Sequence, residues 1–353
     1  MIIRIEIDGF KSFDKFMLDL KPFTVLAGPN NSGKSNVLEA IELVRDLELE
    51  PNGKALVGRA RGTGVQLFHR TDDGTSQAYF EINVEVEVSD QHIEWPLHVR
   101  VGPSSNAHRA FDVETSTVYA GVSVEEHADL ARWLSSWTLV SPDAAKMRRG
   151  ASLNDAYPLA DSGSNMAAVI GRIFDHAGGD EFILDAQFVI GDLLAIEPIR
   201  DTRRNQWDFD VVMRGGRSFT PTLVSDGTLR ILALLAALHD PDHCGVVMIE
   251  DVENGLHPEY QARLCDRLAA RTGESGRQVI ATTHSPIVVS ATLGQADSAV
   301  VFLDQVTGPV KTDDGVRRTQ HQTRARLVAD GGERGTYVTQ TELRNYLSTA
   351  SGR

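Results

Sequence analysis

The sequence has 353 residues, a formal net charge of −14, and ordinary proportions of hydrophobic (41%) and charged (24%) side chains. This length suits one large domain or two smaller ones, at ~100 to 200 residues per domain, and no run approaches the ~18 apolar residues of a membrane span. The two cysteines, Cys244 and Cys265, have no Cys or His at metal-ligand spacing, which argues against a disulfide scaffold or a zinc site. We therefore expect a soluble cytoplasmic protein that does not associate with a membrane.

The negative charge restricts how this protein could contact DNA. A net charge of −14 repels nucleic acid at long range, so any contact must use a local basic patch. Such arginine clusters can equally be solvated faces, and the sequence leaves direct DNA binding open. The candidate clusters are Arg148 with Arg149, Arg200 with Arg203 and Arg204, and Arg317, Arg318, Arg324 and Arg326.

The N-terminal region begins with two strands, a turn and a helix. Residues 2–7 alternate apolar and charged side chains from the start, which predicts a strand and not a signal peptide. The apolar stretch at residues 23–28 predicts a second strand, and a helix that ends at residues 50–53 follows it. The apolar face of that helix consists of Val37, Leu38, Ile41, Val44 and Leu47.

Later elements separate into a sheet, a helical middle and an alternating final third. Strict alternation in Phe80–Val88 and Ile93–Val101 predicts an antiparallel hairpin, and residues 207–224 predict another. From residue 246, strands and helices alternate as in a parallel sheet covered by helices. The final ~50 residues are polar and stay unassigned. The middle helices are predicted near Val124–Ser135, Ser164–His176 and Asp180–Ala195.

The stretch "GPNNSGKS" fits the phosphate-binding pattern GxxxxGK(S/T) between a strand and a helix. Glycines let successive backbone N–H groups approach an anion, and the N-terminus of the next helix adds its positive dipole end. Lys34 would reach the β- and γ-phosphates, and the Ser35 hydroxyl would bind Mg²⁺. The predicted ATP contacts are Gly28, Pro29, Asn30, Asn31, Ser32, Gly33, Lys34, Ser35 and Asn36.

The stretch "VVMIEDVENGLHP" ends an apolar run with acids. Val246–Ile249 predicts a buried parallel strand, and an acid at its carboxyl end would face the crevice where ligands bind in such sheets. We predict that Glu250 holds Mg²⁺ and that Asp251 orients or deprotonates the attacking water. Glu253 is the reserve candidate for the base. The alternative is that the acids are helix-entry charges near Pro258.

Two further motifs place polar residues at the start of a predicted helix or just after a predicted strand. "LVSDGTLR" places Ser225 and Gly227 at the start of an apolar helix, which predicts a second anion-binding helix terminus or a plain N-cap. "ATTHSP" places His284 just past another buried strand, where an imidazole could contact a γ-phosphate. In the order P-loop, "SDG", acidic strand and histidine, the four motifs support one another.

These motifs resemble those of ABC-type ATPases in the branch of structural-maintenance-of-chromosomes (SMC) proteins, RecF-type recombination mediators and overcoming-lysogenisation-defect (OLD) ATPases. "IEIDGFKSF" is similar to the SMC opening, whereas "LVSDGTLRILALLAAL", "IEDVENGLHP" and "TTHSP" are most similar to the OLD-like group. The resemblance covers roughly residues 1–70 and 220–305. It implies an α/β fold: an ABC-ATPase head with a mixed or parallel sheet flanked by helices, an N-terminal antiparallel β-subdomain and a helical insertion.

The resemblance also implies roles for individual residues. It implies a head-to-tail homodimer that holds two ATP molecules and Mg²⁺, with Ser225 and Gly227 meeting the γ-phosphate of the partner subunit's ATP. His284 would be the switch histidine, and Gln66 would be the Q-loop ligand of the metal. The family usually has a glutamate at the position of Asp251. An aspartate side chain is ~1.5 Å shorter than a glutamate side chain. Misplacing a catalytic group by that distance can lower the reaction rate nearly ~100-fold, so we expect slow hydrolysis.

We expect four segments: an N-terminal lobe (1–120), a helical insertion (121–200), a C-terminal lobe (201–305) and a tail of unknown structure (306–353). The leading hypothesis is a DNA-linked ATPase switch that controls a partner effector in anti-phage defence or genome maintenance. The tail lacks the spaced acids of a Toprim nuclease, so the nuclease would be a separate chain. A RecF-type recombination mediator without an effector is the alternative, and a transporter ATPase is the least favoured reading.

Overall fold

The computed structural model describes residues 1–50, 56, 64–72, 74–88, 93–104, 111–115, 124–243, 245–275, 277–311, 317–329, 331 and 335–350. The chain divides into two compact units, Met1–Ser135 with Ala299–Arg353 and, between them in sequence, Ser136–Ser298. Within the described ranges, no helix has both the length and the apolar content needed to cross a membrane. The four-segment division predicted from sequence stays a prediction.

The first unit contains an antiparallel sheet and the strand and helix around the predicted phosphate-binding loop. Its N-terminal elements are β1 (Ile2–Asp8), β2 (Phe16–Asp19), β3 (Phe23–Ala27), α1 (Lys34–Leu49), β4 (Phe80–Val88), β5 (Ile93–Pro103), β6 (Phe111–Thr115) and α2 (Val124–Ser135). Five of these strands form a sheet in the order β2-β1-β4-β5-β6, and all of its neighbours are antiparallel. Phe80 pairs with Val101 and Val84 with Leu97, which confirms the first predicted hairpin.

The second unit contains a helical layer, a small antiparallel sheet and three parallel strands. Its elements are β7 (Thr138–Val140), α3 (Ala144–Met147), β8 (Ala151–Ser152), α4 (Met166–Asp175), α5 (Gly179–Val189), β9 (Leu193–Asp201), β10 (Gln206–Met213), β11 (Arg217–Phe219), α6 (Asp226–His239), β12 (Val246–Ile249), α7 (Pro258–Ser275), β13 (Gln278–Thr283) and α8 (Pro286–Thr292). β12 pairs in parallel with β13, as the alternating pattern predicts, and also with β7, a strand that the sequence did not predict.

The C-terminal residues return to the first unit and form regular elements. They are β14 (Ser298–Lys311), β15 (Arg317–Val328), β16 (Tyr337–Val338) and α9 (Gln340–Ala350). The order β16-β15-β14-β3 places β14 beside the strand that enters the phosphate-binding loop. β14 and β15 pair antiparallel from Val301 with Leu327 to Lys311 with Arg317. The apolar start of β14 is buried, at Val300, Val301, Phe302 and Leu303. The polar residues of β15 form a strand through this long pairing, which their own sequence did not reveal.

One predicted element is wrong in its second half. The helix expected over Asp180–Ala195 ends at Val189, and the residues from Leu193 onward form strand β9. Gly191 interrupts the helical pattern, and the chain after it pairs along the whole of β10, from Leu193 with Met213 to Asp201 with Gln206. Strand pairing with β10 therefore outweighs the local helical preference of the apolar residues that extended the predicted helix.

One of the two cysteines lies in the described part of the chain. Cys265 is fully buried in α7, and burial raises the pKa of its thiol to about 12. A thiol with such a pKa is almost entirely protonated at neutral pH, so it acts as a small apolar group. Cys244 lies outside the described residues.

Helices α5, α6 and α7 are joined by a buried charged cluster. Asp185 accepts hydrogen bonds from His239 Nε2 (2.8 Å) and Arg271 Nε (2.6 Å), and its side chain is 3% exposed. Burial alone would raise the pKa of Asp185, but these hydrogen bonds outweigh it and lower the pKa to about 2 from the usual 3.8. The ionised carboxylate therefore stabilises the fold.

We expect Asp185→Asn to lower the free energy of unfolding by about 2 kcal/mol at pH 7, because Oδ2 accepts both hydrogen bonds and a neutral amide oxygen there lacks the negative charge that strengthens them. Since the folded pKa is depressed, this contribution is complete above pH 3.8 and disappears as the pH falls through about 2. Urea unfolding of both proteins at several pH values measures it. Asp192→Asn, which removes an exposed partner of Arg214, is the matched control and should change stability little. A stability difference that did not shrink in acid would contradict this account.

Candidate nucleotide-binding site

The predicted phosphate-binding loop of the first unit connects a buried strand to a helix. All five residues of β3 are buried, and α1 begins at Lys34 directly after Gly33, whose φ is 97°. Glycine alone adopts such a conformation readily, and a Cβ at this position would lie 2.5 Å from Thr323 Oγ1. Glycine at position 33 therefore permits both the sharp turn and the close packing of β15.

Two polar side chains of this loop fit a bound phosphate. The Lys34 ammonium donates hydrogen bonds of 2.8 Å to the carbonyls of Gly28 and Pro29, and Lys34 is 7% exposed. The Ser32 hydroxyl is buried and has no hydrogen-bond partner. A buried donor without an acceptor costs free energy, and the adjacent helix N-terminus attracts anions. The loop thus combines the Lys34 ammonium, the unpartnered Ser32 hydroxyl and the positive end of the α1 dipole.

Three residues that sequence reasoning missed support the loop. Ser12 Oγ accepts hydrogen bonds from Asn36 Nδ2 (3.0 Å) and Thr323 Oγ1 (2.9 Å), and Gln305 Nε2 donates to the Asn31 carbonyl (2.8 Å). Thr323 belongs to the tail that had no predicted elements, and Gln305 is the last residue of the predicted C-terminal lobe. Their separations of 311 and 274 residues from their partners leave no local pattern that could have revealed them.

The first unit holds most of the predicted ATP contacts in one place. Residues 28–33 form the loop, and Ser35 and Asn36 lie in the first turn of α1. Gln66 lies in the short 3₁₀ helix Gly64–Leu67 with an exposed side chain, and the preceding residues 61–63 lie outside the described part of the chain. Its role as a metal ligand stays a prediction.

The acids of the second unit follow the buried strand β12. Glu250 and Asp251 are both half-buried, and the Asp251 amide donates to Thr282 Oγ1 at 2.9 Å. Asp251 has a φ of 45°, a left-handed conformation that costs a non-glycine residue about 1 kcal/mol. The Val252 amide donates to the Thr282 carbonyl at 3.0 Å, which holds the turn against β13.

Glu253 is the acid with the most defined contacts. Its side chain is 6% exposed and accepts hydrogen bonds of 2.7 Å from Thr283 Oγ1 and the His284 amide. His284 Nδ1 lies 2.9 Å from Glu253 Oε1 and 3.9 Å from Asp251 Oδ1. The sequence suggested Glu253 only as a reserve base. Its full burial beside the histidine could not be read from a motif, because it depends on how β12 and β13 pair.

The acidic turn can hold a divalent ion. Ligand atoms of Asp251, Glu253 and His284 lie within 4.8 Å of one another. Both Glu253 oxygens already accept protein hydrogen bonds, so Glu253 fits a positioning role better than that of a ligand. Carboxylates at the end of a buried strand suit Mg²⁺, which prefers oxygen ligands and keeps several waters. The half-buried Glu250 and Asp251 fit that chemistry.

The "SDG" motif forms the start of α6. Ser225 is the N-cap residue, and its Oγ accepts a hydrogen bond from the Thr228 amide at 3.2 Å. A Cβ on Gly227 would lie 2.9 Å from the Gly255 carbonyl, so glycine allows α6 to pack closely on the turn after the acids. Arg148 donates to the Asp226 carboxylate at 2.6 Å, which balances the negative charge at this helix terminus.

Arg230 connects α6 to the acidic turn. Its Nη2 donates hydrogen bonds of 2.9 Å to the carbonyls of both Glu250 and Asp251, and the residue is 7% exposed. Burial lowers the pKa of Arg230, while the neighbouring carboxylates of Asp251, Glu253 and Glu250 raise it. Arg148, Asp226 and Arg230 also line an open cavity of about 550 Å³. The second unit therefore brings together the acids, His284 and the start of α6.

Comparison with solved structures identifies the fold. The chain is similar to the SMC head domain from Thermotoga maritima (TM-score 0.53, 15% identity, 93% of this chain and 99% of that one). It is also similar to the Smc head domain with a coiled coil and joint from Pyrococcus yayanosii (TM-score 0.65, 10% identity, 99% of both chains). At these identities the likeness shows the fold alone. The predicted fold class, an α/β ABC-ATPase head, is confirmed.

Curated relatives match over short segments. The chain is 55% identical over 42 residues to the chromosome partition protein Smc of Methanocaldococcus jannaschii, which is 12% of this chain and 4% of that protein. It is 33% identical over 88 residues to structural maintenance of chromosomes protein 1 of Arabidopsis thaliana, or 21% of this chain and 7% of that protein. The chain thus matches only a small part of each relative.

A family model matches most of the chain and includes both the phosphate-binding loop and the acidic turn. The match extends over residues 23–290, and the family is described as "AAA domain, putative AbiEii toxin, Type IV TA system". Residue 23 is the first residue of β3, and residue 290 lies in α8. The chain therefore belongs to this family of P-loop ATPases and has the ABC-type fold of the SMC head.

Proposed function

We propose that the protein binds ATP with Mg²⁺ at residues 28–36 and hydrolyses it slowly. The observation that carries this proposal is the loop itself, in which the Lys34 ammonium and the buried, unpartnered Ser32 hydroxyl lie at the N-terminus of α1. Membership of a P-loop ATPase family supports the same conclusion. Lys34 would leave the Gly28 and Pro29 carbonyls for the β- and γ-phosphates.

The acidic turn supplies the hydrolytic groups in this proposal. The Ser35 hydroxyl and the Glu250 carboxylate would hold Mg²⁺, which would supply positive charge to the phosphates. Asp251 orients and deprotonates the water, and His284 contacts the γ-phosphate. Glu253 holds His284 in place through Oε1, which accepts from the His284 amide and lies 2.9 Å from its Nδ1. Asp251 is short for a base, so we expect turnover to be slow.

ATP would also join two copies of the chain head to tail. Ser225 and Gly227, at the start of α6, would meet the γ-phosphate of the ATP bound by the partner subunit. The pairing of Arg148 with Asp226 supports this, because it offsets the one negative charge in the motif. A helix N-terminus with a neutralised acid can accept an anion.

The proposed biological role is a DNA-linked switch that controls a separate effector, such as a Toprim-like nuclease, in defence or genome maintenance. The OLD-like motifs and a family description that names a toxin support an effector over transport. A RecF-type recombination mediator is the alternative. The neighbouring gene discriminates between them: a nuclease reading frame favours the effector role, and replication or repair genes favour the mediator.

We expect Lys34→Ala to abolish ATP binding while the fold remains intact, because its ammonium is the cation that the loop places at the phosphates. Isothermal titration with ATP and Mg²⁺ measures binding, and circular dichroism monitors the fold. Lys21→Ala, which changes an exposed lysine just before β3, is the matched control and should bind as the wild type does. Unchanged ATP affinity of the Lys34 variant would refute the P-loop assignment.

We expect Ser225→Arg to weaken ATP-dependent dimerisation and hydrolysis without weakening ATP binding to the monomer. The bulky cation would occupy the space of the partner's γ-phosphate. Sedimentation with and without ATP measures association, and calorimetry measures binding. If the variant remains an unchanged oligomer with normal hydrolysis, the role of α6 toward the partner's ATP is wrong.

We expect Asp251→Asn to reduce hydrolysis about 100-fold or more and to trap an ATP-bound dimer, because Glu250 still holds Mg²⁺ while the water loses its acceptor. Asp251→Glu should keep or raise turnover, since it restores the reach of the longer acid. Steady-state phosphate release measures both. Hydrolysis at the wild-type rate by the asparagine variant would exclude Asp251 as the base and leave Glu253 as the next candidate.

A further inference from the structure

Arg230 is a buried charged residue on a mostly apolar helix. Apart from Thr228, the side chains that α6 buries around it are leucine, isoleucine and alanine, yet Arg230 itself is only 7% exposed. Its Nε is buried without a hydrogen-bond partner. A buried charge is costly unless its hydrogen bonds repay the lost hydration. Packing alone does not explain a charged side chain at this buried position.

The contacts of Arg230 indicate that reason. A single nitrogen, Nη2, donates to the carbonyls of Glu250 and Asp251, the two residues that leave β12. Asp251 has a left-handed backbone, so the direction of its carboxylate depends on how this turn is held. Thr282 Oγ1 holds the Asp251 amide from the side of β13. Arg230 holds the carbonyls from the side of α6.

The position of Arg230 along α6 adds a second consequence. Arg230 follows Gly227 by three residues, which is less than one helical turn from the end that would meet the partner's ATP. A helix behaves as a rigid element over so short a distance. Any displacement of the start of α6 therefore reaches the Glu250 and Asp251 carbonyls through one side chain.

We propose that Arg230 is a positioning residue that orients the Asp251 carboxylate and makes that orientation depend on the start of α6. The inference rests on the proposed function, in which Asp251 acts on water and α6 meets ATP. Arg230 acts through the backbone of the turn, so its loss should lower kcat and leave the affinity for ATP unchanged.

The test compares Arg230→Met with Arg230→Lys in steady-state ATP hydrolysis. Methionine fills the space without a donor, and we expect kcat to fall about 10- to 100-fold, with KM and ATP affinity within about twofold of the wild type. Because one nitrogen makes both hydrogen bonds, a lysine ammonium can replace it, and Arg230→Lys should recover most of kcat. Loss of packing alone would not produce that recovery.

A control separates this effect from the general loss of an arginine. Arg267→Met, on α7, removes a guanidinium that stacks over Phe188 at 4.0 Å and should leave kcat unchanged. Rates are normalised to folded protein by thermal unfolding. If Arg230→Met does not fold, Arg230→Gln, with a shorter neutral donor, replaces it and should show the same selective loss of kcat.

The outcomes distinguish this inference from the proposed function. If the wild type hydrolyses ATP and Asp251→Asn does not, but Arg230→Met retains the wild-type kcat, the positioning role is wrong and the function stands. Equal loss of kcat in the methionine and lysine variants, or a loss confined to KM, also overturns it. If the wild type does not hydrolyse ATP, the proposed function itself fails.

Discussion

The parallel pairing of β12 with β13 is the constraint on which the acidic turn depends. Val246 pairs with Gln278 and Ile249 with Ala281, so both strands end at the same edge of the sheet. Thr282 then reaches the Asp251 amide, and Glu253 reaches the His284 amide and ring. A shift of one residue in this register would turn every side chain of the strand to the opposite face. Two segments about 30 residues apart in sequence would then no longer meet.

Two buried charges of the second unit are balanced by specific hydrogen-bond partners. Glu253 is buried, yet its two oxygens accept hydrogen bonds from Thr283 and His284. Arg230 brings a buried positive charge close to the acids and is itself held by backbone carbonyls. Such a cluster is stable only while every member has a partner, because a buried unpaired charge costs several kcal/mol. The same requirement holds the turn in one conformation.

The first unit shows a comparable dependence between distant parts of the chain. The loop after β3 is braced by Thr323 on β15 and Gln305 on β14, both contributed by the C-terminal region. Gly33 can pack there only because it lacks a side chain. The geometry of the phosphate-binding loop thus depends on two strands whose bracing residues lie 311 and 274 residues away from their partners in sequence. The local glycine motif and the contacts from β14 and β15 together determine the orientation of the loop's amides and hydroxyls.

By itself, the sequence determined the features that depend on neighbours along the chain. Periodicity predicted the β4–β5 hairpin and the buried strand β12, and the glycine pattern located the phosphate-binding loop. Tertiary structure alone decided that residues 193–201 form a strand and that the tail forms β15, because pairing with β10 and β14 outweighs local preference. It also decided the contacts of Glu253 and Arg230. A side chain's partner depends on register and helix placement, which join residues that no local pattern relates.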